Sequence, residues 1–198
     1  MYVLILHIIK IMGVGMGLLL LALPVRLALA DGTETLGPAT ITIQDGTDVA
    51  AFGTGLIVGQ PQDIVVTVPD GSTVNQALLY WGDRYPDGGT PDANATVKIN
   101  GGASNAVPGT LIGGPTPISD NPPGTTMRSI AYRADITGLI NPADLIGPSV
   151  ITVSVGDLDF PEGLTDGAEV VVVLDDGGMA ATVDVRDGSD YANYGLHP

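Results

Sequence analysis

Cysteine is absent from this chain of 198 residues, and histidine, tryptophan and basic residues are scarce. The lack of thiols excludes disulfides, thiolate metal sites and cysteine nucleophiles. Outside the hydrophobic N-terminal stretch only His197 remains, one residue from the end. Because chain termini fray, His197 cannot be held against a serine as the base of a catalytic triad. One histidine without cysteine also cannot complete a typical zinc site.

Other catalytic signatures are missing as well. The chain has no G-x-S-x-G, no P-loop and no H-E-x-x-H. Its 22 acidic residues make paired carboxylates of the glycosidase type available, but none lies in an apolar run that would clearly raise its pKa. We therefore expect a protein that is not an enzyme, with a glycoside hydrolase as the remaining catalytic alternative.

Residues 1–30 have the layout of a secretory signal peptide. A single Lys10 precedes an apolar run, and the segment ends in the small-x-small pattern Ala28-Leu29-Ala30. The alternative is an uncleaved membrane anchor, but the run between Lys10 and Arg26 is shorter than the roughly 20 apolar residues of a typical span. The pattern predicts export to the extracellular space or cell surface, with Asp31 as the first mature residue.

The predicted mature chain, residues 31–198, is strongly acidic. It keeps all 22 acids, and its basic residues are Arg84, Lys98, Arg128, Arg133 and Arg186. Such a surface repels nucleic acid and anionic lipid, so we expect neither nucleic acid nor, after cleavage, a membrane as partner. The same charge keeps a protein soluble and attracts cations.

Short β-branched runs alternate with glycine, proline, asparagine and aspartate turns along the mature chain. This pattern predicts one all-β domain, a two-layer antiparallel β-sandwich of jelly-roll-like or Ig-like type with about nine short strands. The predicted strands are residues 40–43, 63–68, 74–81, 95–99, 103–107, 127–136, 150–155, 168–174 and 181–185. The run 168–174 is apolar throughout, which favours a strand buried on both faces. Residues 82–94 and 109–124 are polar or rich in glycine and proline, and are predicted loops.

Nearly the same fifteen residues occur twice. ATITIQDGTDVAAFG (39–53) and ATVDVRDGSDYANYG (181–195) align without a gap and are identical at seven positions. Each copy predicts an alternating strand followed by an Asp-Gly turn, in which Gly46 and Gly188 can take a positive φ. The positions that carry this repeat are Thr40, Ile41, Ile43, Asp45 and Asp48 in the first copy, and Thr182, Val183, Val185, Asp187 and Asp190 in the second.

Three explanations of the repeat are open. The copies are equivalent strands of one domain, or residues 181–198 begin the next unit of a tandem array. In the third, the second copy occupies the place of the first in a neighbouring subunit, so that strand addition builds a fibre. The last two imply an extended extracellular assembly.

Acidic loops offer one candidate cofactor, Ca²⁺. The densest set is Asp157, Asp159, Glu162 and Asp166, and carboxylates in flexible loops are what calcium prefers. None of the acidic loops matches the EF-hand pattern, and the alternative is a solvated acidic turn. Trp81 and Tyr85 are candidates for glycan contact, with core packing as the alternative for Trp81.

Five segments together resemble a known type of domain. They are VNQALLYWGD (74–83), TVKING (96–101), YRADIT (132–137), GAEVVVV (167–173) and VRDGSDY (185–191). In this order they resemble an uncharacterised domain of secreted bacterial surface proteins, often beside adhesin-like repeats. The resemblance implies a β-sandwich with a surface or adhesive role and no catalytic residue.

These observations predict a secreted structural or adhesive surface protein that self-assembles into a fibre by strand addition. Its expected partners are other copies of itself or other surface proteins. The alternative is a calcium-dependent carbohydrate-binding module, whose partners would be glycans.

Overall fold

The computed structural model describes residues 36–91, 93–118, 126–158 and 165–188. These residues form eleven strands and one 3₁₀ turn at Thr137–Leu139. The strands are β1 (Gly37–Pro38), β2 (Asp48–Gly55), β3 (Gln62–Val68), β4 (Thr73–Pro86), β5 (Asn94–Ile99), β6 (Asn105–Pro108), β7 (Thr110–Ile118), β8 (Met127–Asp135), β9 (Ser149–Gly156), β10 (Thr165–Asp175) and β11 (Arg186–Asp187).

Two antiparallel sheets pack face to face. One has five strands in the order β2-β10-β4-β8-β7, and the other has four in the order β3-β9-β5-β6. The short strands β1 and β11 pair with each other and, within the described residues, with no other strand. The all-β antiparallel sandwich is therefore confirmed, with eleven strands in the described residues where about nine were expected.

The core follows the period-2 alternation of the strands. In β3 the side chains of Ile64, Val66 and Val68 point inward and are buried, and the intervening residues are exposed. The strand β10 is buried on both faces, as its apolar run predicted. Val170 and Val172 belong to the core between the sheets, whereas Val171 belongs to a second apolar cluster on the outer face of the five-stranded sheet.

The predicted strand 40–43 is wrong, and the regular strand begins only at Asp48. The backbone of this segment bonds to side chains instead of to a neighbouring strand. Gln76 Nε2 donates to the Thr42 carbonyl over 3.1 Å, and Gln44 N donates to Gln76 Oε1 over 3.0 Å. The predicted strand 181–185 is also wrong, because only an isolated bridge at Ala181 precedes β11.

Both predicted loops contain strand. The strand β4 continues to Pro86 and pairs with β8, and β7 occupies residues 110–118 of the second predicted loop. Pro115 and Pro117 lie in β7, where they are tolerated because β7 is the edge of its sheet. The register between β7 and β8 shifts twice, which is typical of an irregular edge strand.

Candidate functional site

Residues 181–188, the described part of the second copy, lie beside the first copy in one chain. We call residues 37–47 and 181–188 the terminal strap, which lies on the outer face of the five-stranded sheet. Gly37 pairs with Asp187, and Ala39 N donates to the Val185 carbonyl over 3.1 Å. At the other end Ala181 N donates to the Gly46 carbonyl over 2.9 Å. The described part of the second copy thus runs antiparallel to the first, as expected if both are equivalent segments of one domain.

Equivalent apolar positions of the two copies contact one patch of the sheet. Leu78, Tyr80 and Val171 form this patch, and Val185 of the second copy is buried in one cluster with them. Against it pack Ile41 and Ile43 from the first copy and Val183 from the second, all partly buried. The alternation repeated in the sequence therefore supplies the docking face of the strap.

A buried ion pair joins the strap to the sheet. Arg133 of β8 is only 2% exposed and Asp187 of β11 only 6%, and their side chains form a salt bridge. Tyr80 Oη donates to Asp187 Oδ1 over 3.4 Å, and Arg133 Nη2 donates to Thr40 Oγ1 over 3.2 Å. Arg133 thus contacts the second copy through Asp187 and the first copy through Thr40.

The register places Glu169, Tyr80 and Arg133 in one row across the outer face of β10, β4 and β8. Burial is the main cause that raises the pKa of Tyr80 to about 12; Arg133 lowers it and Glu169 raises it further. Burial also raises the pKa of Glu169 above its ordinary value. The row therefore contains one buried cation and an acid that is costly to ionise.

Replacing Glu169 with glutamine tests this row. Since the pKa of Glu169 is raised in the folded state, its stabilising contribution is full below the unfolded pKa and is lost as pH rises through the folded pKa. Glutamine stays neutral throughout. We expect Glu169→Gln to match wild type in urea unfolding near pH 3 and to unfold at a higher urea midpoint at pH 7. A midpoint difference that does not change with pH would contradict the assignment.

Two amide side chains of β4 clamp the first copy. Besides its bonds to residues 42 and 44, Gln76 donates through Nε2 to Asp135 Oδ2 over 2.9 Å. Asn75 Nδ2 donates to the Asp45 carbonyl over 2.7 Å. Burial works to raise the pKa of Asp135, but hydrogen bonds from Gln76 and Thr137 outweigh it and hold that pKa below its ordinary value. Asp135 therefore stays ionised and anchors the amide of Gln76.

The equivalent acids of the two copies differ in their surroundings. Asp187 is buried on Arg133, whereas its counterpart Asp45 is exposed. Asp48 is also exposed and accepts a hydrogen bond from Val49 N, and its counterpart Asp190 lies outside the described residues. Thr182 is exposed, whereas its counterpart Thr40 contacts Arg133. The strap is symmetric in its apolar contacts and asymmetric in its ionic contact.

The predicted calcium ligands lie mostly beyond what the structure describes. Asp157 is exposed and has a φ of 52°. Asp159, Glu162 and the side chain of Asp166 lie outside the described residues. In the rest of the acidic loops that the structure covers, no three histidine, aspartate or glutamate side chains come together as a metal site would require.

The prediction that Trp81 and Tyr85 contact a glycan is wrong, because both side chains are buried. Trp81 and Tyr85 are both buried core residues, and Trp81 stacks on Tyr132 with ring centroids 5.8 Å apart. A sugar needs an exposed ring face, so neither residue can serve as a surface platform. The core-packing interpretation of Trp81 is the one that the structure shows.

Comparison with known proteins identifies no relative. No protein-family model, curated protein or solved structure matches the chain. The resemblance to a domain of secreted bacterial surface proteins therefore stays a prediction. Within the residues that the structure covers, no helix has the length and hydrophobicity of a transmembrane segment.

Proposed function

We propose that the chain is an exported structural protein of the cell surface that assembles by exchanging residues 181–188 between neighbouring molecules. The observation that supports this is the strap itself. Residues 181–188 end in a buried ion pair, yet they join the end of β10 through a connector that is exposed at every position from 176 to 180.

The connector has the properties of a hinge. Met179 is 89% exposed, and Gly177 takes a positive φ of 74°. Gly177 N donates to Asp175 Oδ1 and Gly178 N donates to Asp176 Oδ1, both within two residues, and Asp176 N donates to Thr47 Oγ1. The five residues 176–180 in extended form reach roughly 17 Å, enough to carry the second copy to an adjacent molecule.

Exchange preserves every contact of the strap. A second copy from a neighbour meets the same Arg133, Tyr80 and first copy that it meets in its own chain, so the free energy of docking is largely retained. Reciprocal exchange between two molecules closes a dimer, whereas exchange in one direction propagates a fibre. Strand addition of this kind requires no ligand and no catalytic group.

A pair of engineered cysteines tests the exchange, since the native chain has none. Pro38 and Arg186 are direct partners in the β1–β11 ladder, and Cα atoms of antiparallel partners lie within disulfide range. After oxidation at high protein concentration we expect Pro38→Cys/Arg186→Cys to give disulfide-linked dimers and larger species on non-reducing gels. A variant that yields only the internally bridged monomer contradicts the proposal.

The matched control is Thr96→Cys/Ala106→Cys. These residues are direct partners in the β5–β6 hairpin, which cannot exchange without opening the four-stranded sheet. This variant should oxidise to a monomer under the same conditions. Single-cysteine variants report any disulfides that form by random collision.

A further inference from the structure

Among the residues that the structure describes, none covers the outer face of the four-stranded sheet as the strap covers the other sheet. Val65 and Val150 point outward from β3 and β9 and are 54% and 58% exposed. The remaining outward side chains of β3, β9 and β5 are small or polar: Asp63, Thr67, Thr152, Ser154, Asn94, Thr96 and Lys98. The strap face, by comparison, buries Leu78, Tyr80 and Val171.

This uncovered face is close to neutral on a strongly acidic protein. Its outward strand positions carry one acid, Asp63, and one base, Lys98. Within the described residues, neither has an ion-pair partner in its own chain. A second copy can therefore approach here with less local repulsion than at a face that carries an excess of acids.

The register arranges the two charges symmetrically about β9. Asp63 of β3 is the partner of Ser154, and Lys98 of β5 is the partner of the same Ser154 on its other side. Asp63 and Lys98 thus flank β9 at the same height, one strand spacing to each side. Rotation by 180° about an axis along β9 exchanges their positions.

We propose that this face binds the same face of a second copy around a two-fold axis that runs along β9 in the plane of the interface. Each β9 then lies over its counterpart, and Lys98 of each molecule lies over Asp63 of the other. The contact is isologous and makes two equivalent ion pairs. Val65 and Val150 lose solvent exposure in the same step.

The size of the face sets the strength of the dimer. With the axis along β9, the strands that overlap are β3, β9 and β5. Three strands about 4.8 Å apart and about seven residues long cover roughly 330 Å² per molecule. Stable interfaces bury about 800 Å² per partner. The dimer is consequently weak and concentration-dependent, and because its ion pairs lie near the rim, added salt weakens it.

Charge reversal and mixing test the proposed axis by sedimentation velocity of the mature chain. In a dimer of the Lys98→Glu variant, each new carboxylate lies over Asp63 of the other molecule, and in a dimer of the Asp63→Lys variant, each new ammonium group lies over Lys98. Because like charges then meet, each variant should dimerise at least about tenfold more weakly than wild type. A mixture of the two variants restores both ion pairs, and its association should return to within about threefold of wild type. Asp70→Lys, on the turn after β3, is the matched control and should dimerise like wild type.

Three results would overturn the proposal: wild type that stays monomeric up to about 1 mM, single reversals without effect, or a mixture that is no stronger than its components. The inference is independent of strap exchange. Sedimentation of the internally bridged Pro38→Cys/Arg186→Cys monomer distinguishes dimerisation through the sheet face from exchange of the strap. The internal disulfide prevents exchange and leaves the sheet face unchanged.

Discussion

Asp187→Ala lowers the free energy of unfolding by about 3–5 kcal/mol, because it leaves the Arg133 guanidinium buried without its counter-ion. Alanine also removes the acceptor of the Tyr80 hydroxyl. The remaining contact of Arg133 with the Thr40 hydroxyl cannot neutralise a buried cation. Urea unfolding at pH 7, followed by tryptophan fluorescence, measures the loss.

The repeat provides a matched control for this substitution. Asp45 is the equivalent residue of the first copy and is exposed, so Asp45→Ala should change stability by no more than about 0.5 kcal/mol. Removing both charges in Arg133→Met/Asp187→Leu should recover most of the stability lost in Asp187→Ala, since the uncompensated charge is gone. Equal effects of Asp45→Ala and Asp187→Ala would show that the ion pair does not hold the strap.

Much of the sandwich follows from local pattern. The strand β3 alternates strictly between inward Ile64, Val66 and Val68 and outward polar or exposed residues, and such a strand can be located without tertiary information. The apolar run of β10 correctly indicated burial on both faces, although the sequence did not reveal that the strap provides the second cover. Where propensity and pattern agree with the packing, prediction succeeds.

The prediction of a regular strand at residues 40–43 of the strap is wrong for a physical reason. Residues 40–43 have an ideal strand pattern, but the backbone of residues 42, 44 and 45 bonds to the side-chain amides of Gln76 and Asn75, which lie 30 or more positions away. A strand assignment assumes a neighbouring backbone ladder, and the amides take its place here. The proline-containing strand β7 was missed for the opposite reason, because an edge strand needs only one paired side.

The ionic site was only half visible in the sequence. The repeat indicates Asp187 as a candidate residue. Arg133 and Tyr80 lie in strands whose alternation predicts only that their side chains point outward, so the sequence does not indicate that they bind the strap. A charged or aromatic outward residue is ordinarily solvated. It becomes a docking residue only when a distant segment covers it, and that requires the fold. Two polar outward residues on adjacent strands, Tyr80 beside Arg133, are the signal that could have indicated a covered face.

Gly46→Ala should destabilise the protein by roughly 1–3 kcal/mol and loosen the strap. The sequence predicts an Asp-Gly turn in which Gly46 can take a positive φ, but Gly46 is not among the residues with positive φ, and close approach is the reason for glycine. A Cβ at this position would lie 2.5 Å from the Leu174 carbonyl oxygen and 2.6 Å from Val173 Cγ1. The oxygen belongs to the backbone of a central strand and cannot move aside, so the strap must shift instead.

Gly37→Ala is the control, because a Cβ on Gly37 meets no atom of the described residues within 4 Å although Gly37 lies in the same strap. Urea unfolding measures the stability of both variants, and amide exchange at Ala181 measures opening of the strap, since its N–H is bonded to the Gly46 carbonyl. If the first copy shifts, the hydrogen bond between Ala181 N and the Gly46 carbonyl weakens, whereas the Arg133–Asp187 pair stays in place. In the cysteine-paired background, Gly46→Ala should therefore raise the yield of intermolecular disulfides above that of Gly37→Ala. Equal yields would mean that release of the second copy is controlled by the ion pair and not by the bridge at Gly46.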